Sequence, residues 1–380
     1  MIIGLNLLFL LPNKVGGTET YARGLINGLK SIDKDNQYYI FCNKDAFSTL
    51  EEAENVKIIC LPVSGKNRFI RFLFELFLLP LYIIKYRINL VHSLGYSGPF
   101  FVSCPSIVTV YDLNWYFYPE DFSFFKRLSW KFVVKNSAAF STKIITSSKA
   151  SKKSLIDIFK LGSQKIDVVY GGLPKLNKAN SRNSLKNFGI EDKYIFTVTS
   201  TYPHKNLITL IKAFKLVNEK DNNYQLVVAG LSGRAHEEVV KYIKENKLTK
   251  KVLLLGWVKE SEISTLYKYA EIMVFPSLYE GFGFPVLEAM GYGTPVISSN
   301  AYSLKEIVQN AGILIDPNNV NKLSDKIIEV LNNQKIKNQL SRDGYKRSKV
   351  FDWNSSAKKT LKIYYKIGHN GQQSKRVLRK

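Results

Sequence analysis

Short apolar runs alternate with amphipathic runs through the second half of the chain. One amphipathic run, residues 206–219, carries apolar side chains at positions 207, 210, 211, 214 and 217, which lie on one face of an α-helix. Asn206 is the predicted N-cap of this helix. Strands and helices that alternate through short joints marked by Gly or Pro predict an α/β fold with a parallel, doubly wound sheet. The predicted strands are Tyr194–Ser200, Tyr224–Ala229, Lys251–Leu255, Glu271–Phe275, Pro295–Ser299 and Gly312–Ile315.

The first half of the chain repeats this alternation less regularly. It begins with a predicted buried strand at Ile2–Leu11 and a predicted helix at Thr18–Lys30. A joint between two domains is predicted at Gly171–Lys193, which is rich in Gly, Asn, Lys and Ser and lacks an apolar period. The further strands predicted in this half are Tyr38–Cys42, Val56–Leu61, Leu90–His92, Ser106–Tyr111, Lys143–Ser147 and Lys165–Val169.

This pattern predicts two Rossmann-like domains, at residues 1–172 and 173–351. The last part of the chain is helical in pattern and ends in a polar, basic tail, 369–380, which we predict to be disordered. Open α/β sheets bind their ligands beyond the carboxyl ends of the strands. We therefore expect the two domains to face a central cleft that holds the ligand.

The composition bears on partners and location. A net charge of +24 indicates either a polyanionic partner or a general preference for Lys on solvated surfaces, and both explanations stay open. Because the Lys residues are scattered and no nucleic-acid motif is present, a nucleic-acid-binding protein is a weaker alternative. The three cysteines include no C-x-x-C pair, which suits a reducing compartment and argues against a structural metal site. The apolar start, Met1–Pro12, lacks the features of a signal peptide, so we expect a cytoplasmic protein.

The most apolar stretch is Phe69–Ile84. It is interrupted by Arg71, Glu75 and a proline, and so falls short of a membrane-spanning helix. Arg68, Arg71 and Glu75 share one helical face, and with the basic, aromatic run Phe122–Lys135 they could form a patch against the acidic inner leaflet. The alternative is a helix buried against the sheet of the first domain.

The segment with the most chemical content is Phe275–Ser299. A strand ends in a Gly-rich loop that carries Glu280, and a helix that contains Glu288 is predicted to begin near Phe284-Pro285, since Pro fits a first turn. Backbone N–H groups of the loop and helix start can bind an anion, and a carboxylate can accept both hydroxyls of a diol. Phosphate and diols together describe a nucleotide sugar. The alternative is a capped helix start with two solvated glutamates.

Two weaker features point to the same ligand. Lys205 lies between a predicted strand and a predicted helix, where its charge would add to a phosphate site at the helix start. Gly16-Gly17 follows the first strand and would let the backbone approach a phosphate closely. The alternatives are a surface lysine and a tight turn.

In this order and spacing the segments resemble retaining glycosyltransferases of family 4, which have the GT-B fold. The stretch from residue 351 to 366 is similar to the family's C-terminal helix, so a helix at about 352–368 is expected to pack back on the first domain. The other matching segments are the Gly-Gly turn at 16–17, TVYDL at 109–113, YPE at 118–120, SSKASKKSLIDIF at 147–159, PHKN at 203–206, LLLGWV at 253–258, the E-x7-E motif at 280–288 and GTPVI at 293–297.

The resemblance implies a role for each matching residue. Lys205, with His204 beside it, would bind the donor diphosphate. Glu288 would hold the ribose hydroxyls, and Glu280 would hold the hexose near the reaction centre. The remaining implied residues are Asp112 and Tyr111 for catalysis, the amides of Gly16, Gly17, Gly281, Phe282, Gly283 and Phe284 for phosphate and sugar, and the turn at Gly256, Trp257 and Val258 for the base.

The chain departs from the family pattern at two positions. Tyr111 stands where the family often has a catalytic His, which puts a His-dependent mechanism in doubt. Thr199 stands where some members have an Arg that assists the phosphate-binding Lys, and Arg234 is the candidate to replace it.

The expected activity is transfer of a hexose, with mannose as first choice, from GDP-mannose or another nucleoside-diphosphate sugar, with retention and without a metal or other cofactor. The acceptor would be a saccharide in cell-envelope polysaccharide synthesis, with a polyprenyl diphosphate carrier as one option. The D-x-D at Asp33–Asp35 is predicted to be a solvated turn. A nucleotide-sugar epimerase of the same fold is the alternative. A dinucleotide oxidoreductase is not expected, because Val286 interrupts G-x-G-x-x-G.

Overall fold

A computed structural model describes residues 1–12, 14 and 16–377, with side chains up to residue 368. The chain forms two compact units. The first unit contains Met1–Gly172 and the segment that begins at Asp352, and the second unit contains Leu173–Phe351.

The first unit is built on a seven-stranded sheet whose strand pairs are all parallel. The strands are β1 (Ile2–Leu7), β2 (Gln37–Cys42), β3 (Val56–Cys60), β4 (Leu90–Ser93), β5 (Ser106–Thr109), β6 (Lys143–Thr146) and β7 (Ile166–Val168). Their order in the sheet is β3-β2-β1-β4-β5-β6-β7, and the central strands β4 and β5 are buried on both faces. The helices are α1 (Gly17–Ile32), α2 (Lys44–Phe47), α3 (Arg68–Leu73), α4 (Leu79–Lys85), α5 (Asn114–Phe117), α6 (Phe124–Phe140) and α7 (Lys149–Phe159).

The second unit repeats the design with a six-stranded parallel sheet. The strands are β8 (Lys193–Val198), β9 (Tyr224–Ala229), β10 (Val252–Gly256), β11 (Ile272–Phe275), β12 (Val296–Ser299) and β13 (Ile313–Ile315), in the order β10-β9-β8-β11-β12-β13. The apolar face of the amphipathic run 206–219 packs in the core as its period predicts, with Phe214 and Val217 buried. The helices are α8 (Leu207–Lys220), α9 (His236–Glu245), α10 (Glu260–Tyr269), α11 (Phe284–Gly291), α12 (Leu304–Val308), α13 (Val320–Asn332) and α14 (Gln334–Ser348).

Both sheets reverse their strand order once. In the first unit the chain leaves β1 towards β2 and β3, and then returns to place β4 on the other side of β1. In the second unit β8 and β11 are neighbours for the same reason. At such a switch point the connections leave in opposite directions, which opens a crevice at the carboxyl ends of the two strands.

The first strand is shorter than its apolar run. Pairing with β2 stops at Leu7, and the N–H of Leu10 donates to the Leu7 carbonyl in a turn. Leu8, Phe9 and Leu10 are nevertheless buried. Apolar residues thus continue beyond the strand because the following turn is buried as well.

The apolar segment after residue 67 is partly in the core and partly on the surface. α3 and α4 are joined by a π-helical turn at Phe74–Leu78. Phe74, Leu79 and Ile83 are buried, whereas Phe69, Ile70, Leu73, Phe77, Leu78, Leu81 and Ile84 are exposed. Among the described residues, no helix has the length and apolar character needed to cross a membrane.

The last helix, α15 (Trp353–Val377), packs against α1 in the first unit. The helix continues past residue 368, so part of the predicted disordered tail is helical, and residues 378–380 of that prediction lie outside the described residues. Glycines on α1 allow the close approach. A Cβ on Gly24 would lie 2.1 Å from the Trp353 ring, and a Cβ on Gly28 would lie 2.5 Å from the Trp353 carbonyl oxygen.

We predict that Gly28→Ala destabilises the protein, because the added methyl meets backbone that cannot rotate away. Overpacking of this kind costs about 1–3 kcal/mol. Chemical denaturation followed by circular dichroism measures the change. Asn27→Ala, at the exposed neighbouring position of the same helix, should change stability by less than about 0.5 kcal/mol. Equal stabilities of the two variants would contradict the packing account.

Candidate functional site

Most of the residues predicted to form the donor site follow the carboxyl ends of four neighbouring strands in the second unit. Lys205 follows β8, Arg234 follows β9, Trp257 follows β10 and Glu280 follows β11. Since β8 and β11 flank the switch point, Lys205 and Glu280 lie on either side of the crevice that the topology creates.

The turn that carries Lys205 is held by Asn206. The Asn206 backbone is left-handed, with φ of 58°. The side-chain amide nitrogen, Nδ2, donates to the carbonyl oxygens of Pro276 at 3.2 Å and Pro317 at 2.8 Å. Asn206 is the N-cap of α8, as predicted. Its side chain makes no capping hydrogen bond and instead ties the turn to the loops after β11 and β13.

Lys205 and Glu280 form an ion pair at this place. The Lys205 Nζ lies 2.7 Å from Glu280 Oε1, and both side chains are largely buried, with 21% and 13% of their surface exposed. Residues 75 positions apart in the chain are thus brought together by the strand order. A ligand that offers a negative charge to Lys205 and hydroxyl groups to Glu280 can replace each member of the pair as the other's partner.

Buried serines shape the loop that carries Glu280. The Ser303 hydroxyl lies 2.7 Å from the Glu280 carbonyl oxygen and 2.8 Å from that of Phe282. The Ser277 hydroxyl donates to the Tyr279 carbonyl at 3.1 Å, and the Ser299 hydroxyl donates to the Ser277 carbonyl at 2.5 Å. Because serine hydroxyls bind several of its carbonyl groups, the backbone of the loop is fixed.

Helix α11 starts directly from this loop, as predicted. Its N-cap is Gly283, with φ of 116°, a conformation that favours glycine. A Cβ there would also lie 2.7 Å from the Leu304 side chain. Pro285 occupies the first turn, where its missing N–H costs nothing. The N–H groups of a helix start favour an anion, and the ligand contact of the amides at Gly281–Phe284 stays a prediction.

Glu288 lies one turn into α11 and is bound by Tyr267 of α10. The Tyr267 hydroxyl donates to Glu288 Oε2 at 2.8 Å. Burial raises the pKa of the Glu288 carboxyl to about 7, and the bond from Tyr267 acts in the opposite direction. Glu288 is therefore not the solvated surface residue of the alternative interpretation. Near neutral pH it exchanges between a form that only accepts hydrogen bonds and a form that can also donate one.

His204 is buried beneath the turn next to Lys205. Burial, with a smaller effect of Lys205, lowers the pKa of its imidazole to about 3. The ring is therefore neutral at physiological pH. Its carbonyl oxygen accepts a bond from the Leu278 N–H at 2.8 Å, which links the turn after β8 to the loop that carries Glu280. His204 therefore supports the turn after β8 as a neutral residue.

The loop after β9 is fixed to the end of β8. The Gly233 N–H donates to the Thr201 hydroxyl at 2.6 Å, and the Thr201 carbonyl accepts from Ala235 at 2.9 Å. A Cβ on Gly230 would lie 2.0 Å from the Thr199 carbonyl oxygen. Arg234, the candidate to assist Lys205, is exposed on this anchored loop.

The turn predicted to line the base follows β10. Gly256 has a φ of 67°, and its carbonyl accepts from the Gly230 N–H at 2.7 Å. Trp257 is 53% exposed and Val258 is partly buried. An exposed indole beside an open turn offers a flat surface on which a base can stack.

The other predicted site residues lie in the first unit. Gly16, with φ of 57°, is the N-cap of α1, Gly17 is the first helical residue, and a Cβ on Gly16 would meet nothing within 4 Å. Asp112 is partly buried and accepts from the Asn114 N–H at 3.2 Å. The backbone at Gly16-Gly17 is therefore open at the carboxyl end of β1, next to the switch point of its own sheet.

Tyr111 has a position that does not suit the predicted catalytic role. The residue is buried, its hydroxyl donates to the Leu94 carbonyl at 2.6 Å, and its ring packs edge-on against Tyr21 and Tyr96. Burial raises the pKa of the phenol well above its usual value. Tyr111 is thus part of the packed interior, and its hydroxyl is held by a backbone carbonyl.

The D-x-D sequence forms a turn, although the turn is not solvated at its first residue. Asp33 is buried and accepts from Asn36 Nδ2 at 2.8 Å and from the Tyr38 hydroxyl. The Asp33 carboxylate is therefore engaged within the first unit.

Two family models match the chain one after the other. The Glycosyltransferase Family 4 model matches residues 15–174, and the Glycosyl transferases group 1 model matches residues 180–347. The chain belongs to the GT-B glycosyltransferases. The two models divide this GT-B glycosyltransferase close to the boundary between its two structural units.

Curated relatives of this GT-B glycosyltransferase include the O-antigen chain mannosyltransferase B of Escherichia coli, 29% identical over 45% of each chain. The chain spans about half the length of the first curated relatives it matches. An uncharacterised glycosyltransferase of Methanocaldococcus jannaschii is 28% identical over 93% of this chain and 95% of its own. An N-acetylgalactosamine-N,N'-diacetylbacillosaminyl-diphospho-undecaprenol 4-alpha-N-acetylgalactosaminyltransferase of Campylobacter jejuni is 26% identical over 63% and 64%.

Solved structures with the same fold are similar over nearly the whole chain. Sucrose-phosphate synthase from Thermosynechococcus elongatus has a TM-score of 0.78 at 20% identity and covers 96% of this chain and 98% of its own. Anabaena HepE, solved with UDP-glucose, has a TM-score of 0.72 at 19% identity and covers 96% and 100%. The predicted GT-B fold class is confirmed.

Several residues of the site were not predicted from the sequence. Tyr267 binds Glu288, Ser303 supports the Glu280 loop, and Thr201 anchors the loop of Arg234. Tyr267 lies on a different helix from Glu288, and no spacing rule relates the two. Ser303 directly follows the run SNAY, whose polar residues read as an ordinary loop.

We predict that Glu288→Gln stabilises the protein at pH 8 and has little effect near pH 4. A carboxyl whose pKa rises on folding from 4.5 to about 7 destabilises the fold increasingly as pH rises through this range, and Gln does not ionise. The expected gain at pH 8 is about 3 kcal/mol. Thermal unfolding across pH measures it. Glu237→Gln, at an exposed position, is the matched control and should show no such trend. A gain for Glu288→Gln that is independent of pH would contradict the raised pKa.

Proposed function

We propose that the protein transfers a hexose from a nucleoside-diphosphate sugar to an acceptor hydroxyl, with retained anomeric configuration and without a metal. The observation that carries the proposal is the ion pair of Lys205 and Glu280 at the switch point of the second sheet. In a nucleoside-diphosphate sugar, the negative diphosphate matches the Lys205 cation, and the sugar hydroxyls match the Glu280 carboxylate. The family membership supports transfer as the reaction class.

Donor binding would exchange one set of partners for another. The diphosphate would take Lys205 away from Glu280 and would also receive N–H groups from the start of α11. Glu280, released from Lys205, would accept hydrogen bonds from the hexose hydroxyls. Arg234 would add a second cation, and the Gly16-Gly17 amides keep their proposed contact with phosphate.

Ribose recognition is assigned to Glu288. An ionised carboxylate accepts both hydroxyls of the ribose diol, and Tyr267 keeps the carboxylate in place from behind. The exposed indole of Trp257 and the turn at Gly256 would lie against the base.

The chemical step would separate the leaving diphosphate from the anomeric carbon while Lys205 and the helix-start amides stabilise its charge. Retention through attack on the same face needs no enzymic nucleophile, and the described site offers Glu280 as a ligand of the sugar. We therefore propose front-face attack, in which the acceptor oxygen bonds to the anomeric carbon as the bond to the nucleoside diphosphate breaks, and the proton of the acceptor hydroxyl passes to the leaving phosphate oxygen.

The relatives support the proposed sugar and acceptor. Mannose, delivered by GDP-mannose, is the first proposal because O-antigen mannosyltransferases are among the relatives. A cell-envelope saccharide on a polyprenyl diphosphate carrier is the proposed acceptor, since the Campylobacter jejuni relative is named for such a substrate.

Binding at the inner face of the cytoplasmic membrane is proposed from the surface of the first unit. Phe69, Phe77 and Leu81 are exposed beside Lys85 and Arg87, and exposed apolar side chains with basic neighbours suit an acidic leaflet. Exposed apolar residues of α6 extend this surface and include Phe124, Phe125, Leu128 and Phe132.

The base is tested by a thermal-shift panel of nucleoside diphosphates and their sugars. We expect one guanine nucleotide to raise the melting temperature more than its uracil and thymine counterparts. Product analysis with the donor alone then tests the reaction class. Conversion of the donor to an epimeric nucleotide sugar would contradict transfer.

We predict different defects for the two members of the ion pair. Lys205→Ala should weaken binding of the nucleoside diphosphate, and Glu280→Gln should chiefly lower kcat, each by roughly tenfold to a hundredfold, the effect of one charged hydrogen bond. Calorimetry measures the binding, and release of nucleoside diphosphate from the sugar donor measures the rate. Lys212→Ala and Glu219→Gln, at exposed positions of α8, are the controls. Wild-type binding and rates in both site variants would overturn the assignment.

A further inference from the structure

A second cavity lies in the first unit, between α3 and α6. Its volume is about 460 Å³, within the range of roughly 300–1,000 Å³ typical of small-molecule sites. Side chains of both helices line it, together with Ser97 from the loop after β4. Nothing in the donor chemistry proposed above uses this cavity.

Three cations line one end of the cavity, and they are Arg68, Arg71 and Lys126. Arg71 is mostly buried, and its Nε lies 3.8 Å from Glu75 Oε1 without a hydrogen-bond partner among the described residues. Glu75 lies behind the lining, where Ser97 donates to its Oε2 at 2.5 Å. The buried carboxylate thus holds Arg71 and Ser97 in place. The charged side chains that line the cavity are basic, which suits a ligand with more than one negative charge.

The remaining walls are apolar, formed by Phe69, Phe72, Trp130 and Val133. Phe100 ties the two helices together, since its ring lies 5.9 Å from that of Phe72 and 6.3 Å from that of Phe132. The walls are therefore part of a connected aromatic cluster rather than loose surface side chains.

The apolar lining continues onto the surface. Phe69, at the rim, is 70% exposed, and Phe124, Leu128 and Phe132 form an exposed stripe with helical spacing on α6. A ligand with a charged head in the cavity could extend an apolar chain over this surface without exposing the chain to water.

We propose that the cavity between α3 and α6 binds the diphosphate and first isoprene units of a polyprenyl diphosphate lipid, which carries the acceptor sugar. The charges select the diphosphate, and the aromatic walls select the isoprenoid. The site rests on the proposed function, because a transferase needs an acceptor and the donor is assigned to the second unit. A membrane lipid held here would also explain why the same unit carries the exposed apolar stripe.

The proposal is tested by calorimetry on the full chain with farnesyl diphosphate as probe and with nucleoside diphosphate present in excess to occupy the donor site. We predict that Arg68→Ala/Lys126→Ala weakens binding of farnesyl diphosphate by about tenfold to a hundredfold. Both residues are exposed, so the variant should fold. Lys135→Ala, which removes a charge from the exposed surface of the same helix, is the control and should bind as the wild type does.

Two further ligands separate the sources of the binding energy. Inorganic pyrophosphate and farnesol should each bind more weakly than farnesyl diphosphate. Equal binding of pyrophosphate would indicate a site for free diphosphate and would overturn the lipid proposal. Vesicles of phosphatidylglycerol and phosphatidylethanolamine should recruit the protein more strongly when they contain undecaprenyl diphosphate, and the double variant should lose this difference.

Binding of nucleoside diphosphate distinguishes failure of this site from failure of the proposed function. If the wild type binds nucleoside diphosphate but not farnesyl diphosphate, the lipid site is wrong and the transferase proposal stands. If the double variant binds farnesyl diphosphate as the wild type does, the cavity is not the site. Loss of nucleoside diphosphate binding in the double variant would also contradict the proposal, which requires two independent sites.

Discussion

The ion pair of Lys205 and Glu280 is the interaction on which the candidate site depends. It exists because β8 and β11 are neighbours although three helices and two strands separate them in the chain. Each partner neutralises the other in a partly buried place while no ligand is bound. When the proposed donor binds, Lys205 would exchange Glu280 for the diphosphate, and Glu280 would exchange Lys205 for the sugar hydroxyls. The same two side chains therefore stabilise the empty site and bind the donor.

The surrounding scaffold limits how far these two side chains can move. Asn206 fixes the turn of Lys205 to the loops after β11 and β13. Ser303 fixes the loop of Glu280 through a hydrogen bond to the Glu280 carbonyl oxygen. Helix α11 begins at the end of that loop and carries Glu288, which Tyr267 holds. Charged side chains on rigid turns lose little entropy when a ligand binds, which favours affinity.

The strands and the chemical character of the site could be predicted from the sequence, whereas several contacts could not. Tyr224–Ala229 is a strand with the predicted bounds, because a strand buried on both faces is mostly apolar, here with Gln225 as the one polar residue. Ile2–Leu11 was predicted too long, because the buried turn after the strand is equally apolar. The partner of Glu288 and the interior position of Tyr111 depend on tertiary packing. No local pattern around either residue indicates these contacts.

A crystal structure of the protein with a bound nucleoside-diphosphate sugar tests the central claim most directly. The account predicts that the diphosphate lies at the carboxyl ends of β8 and β11, within hydrogen-bond distance of Lys205 Nζ, and that Glu280 has turned from Lys205 to the hydroxyls of the sugar. A donor bound elsewhere, with the Lys205–Glu280 pair still closed, would contradict it.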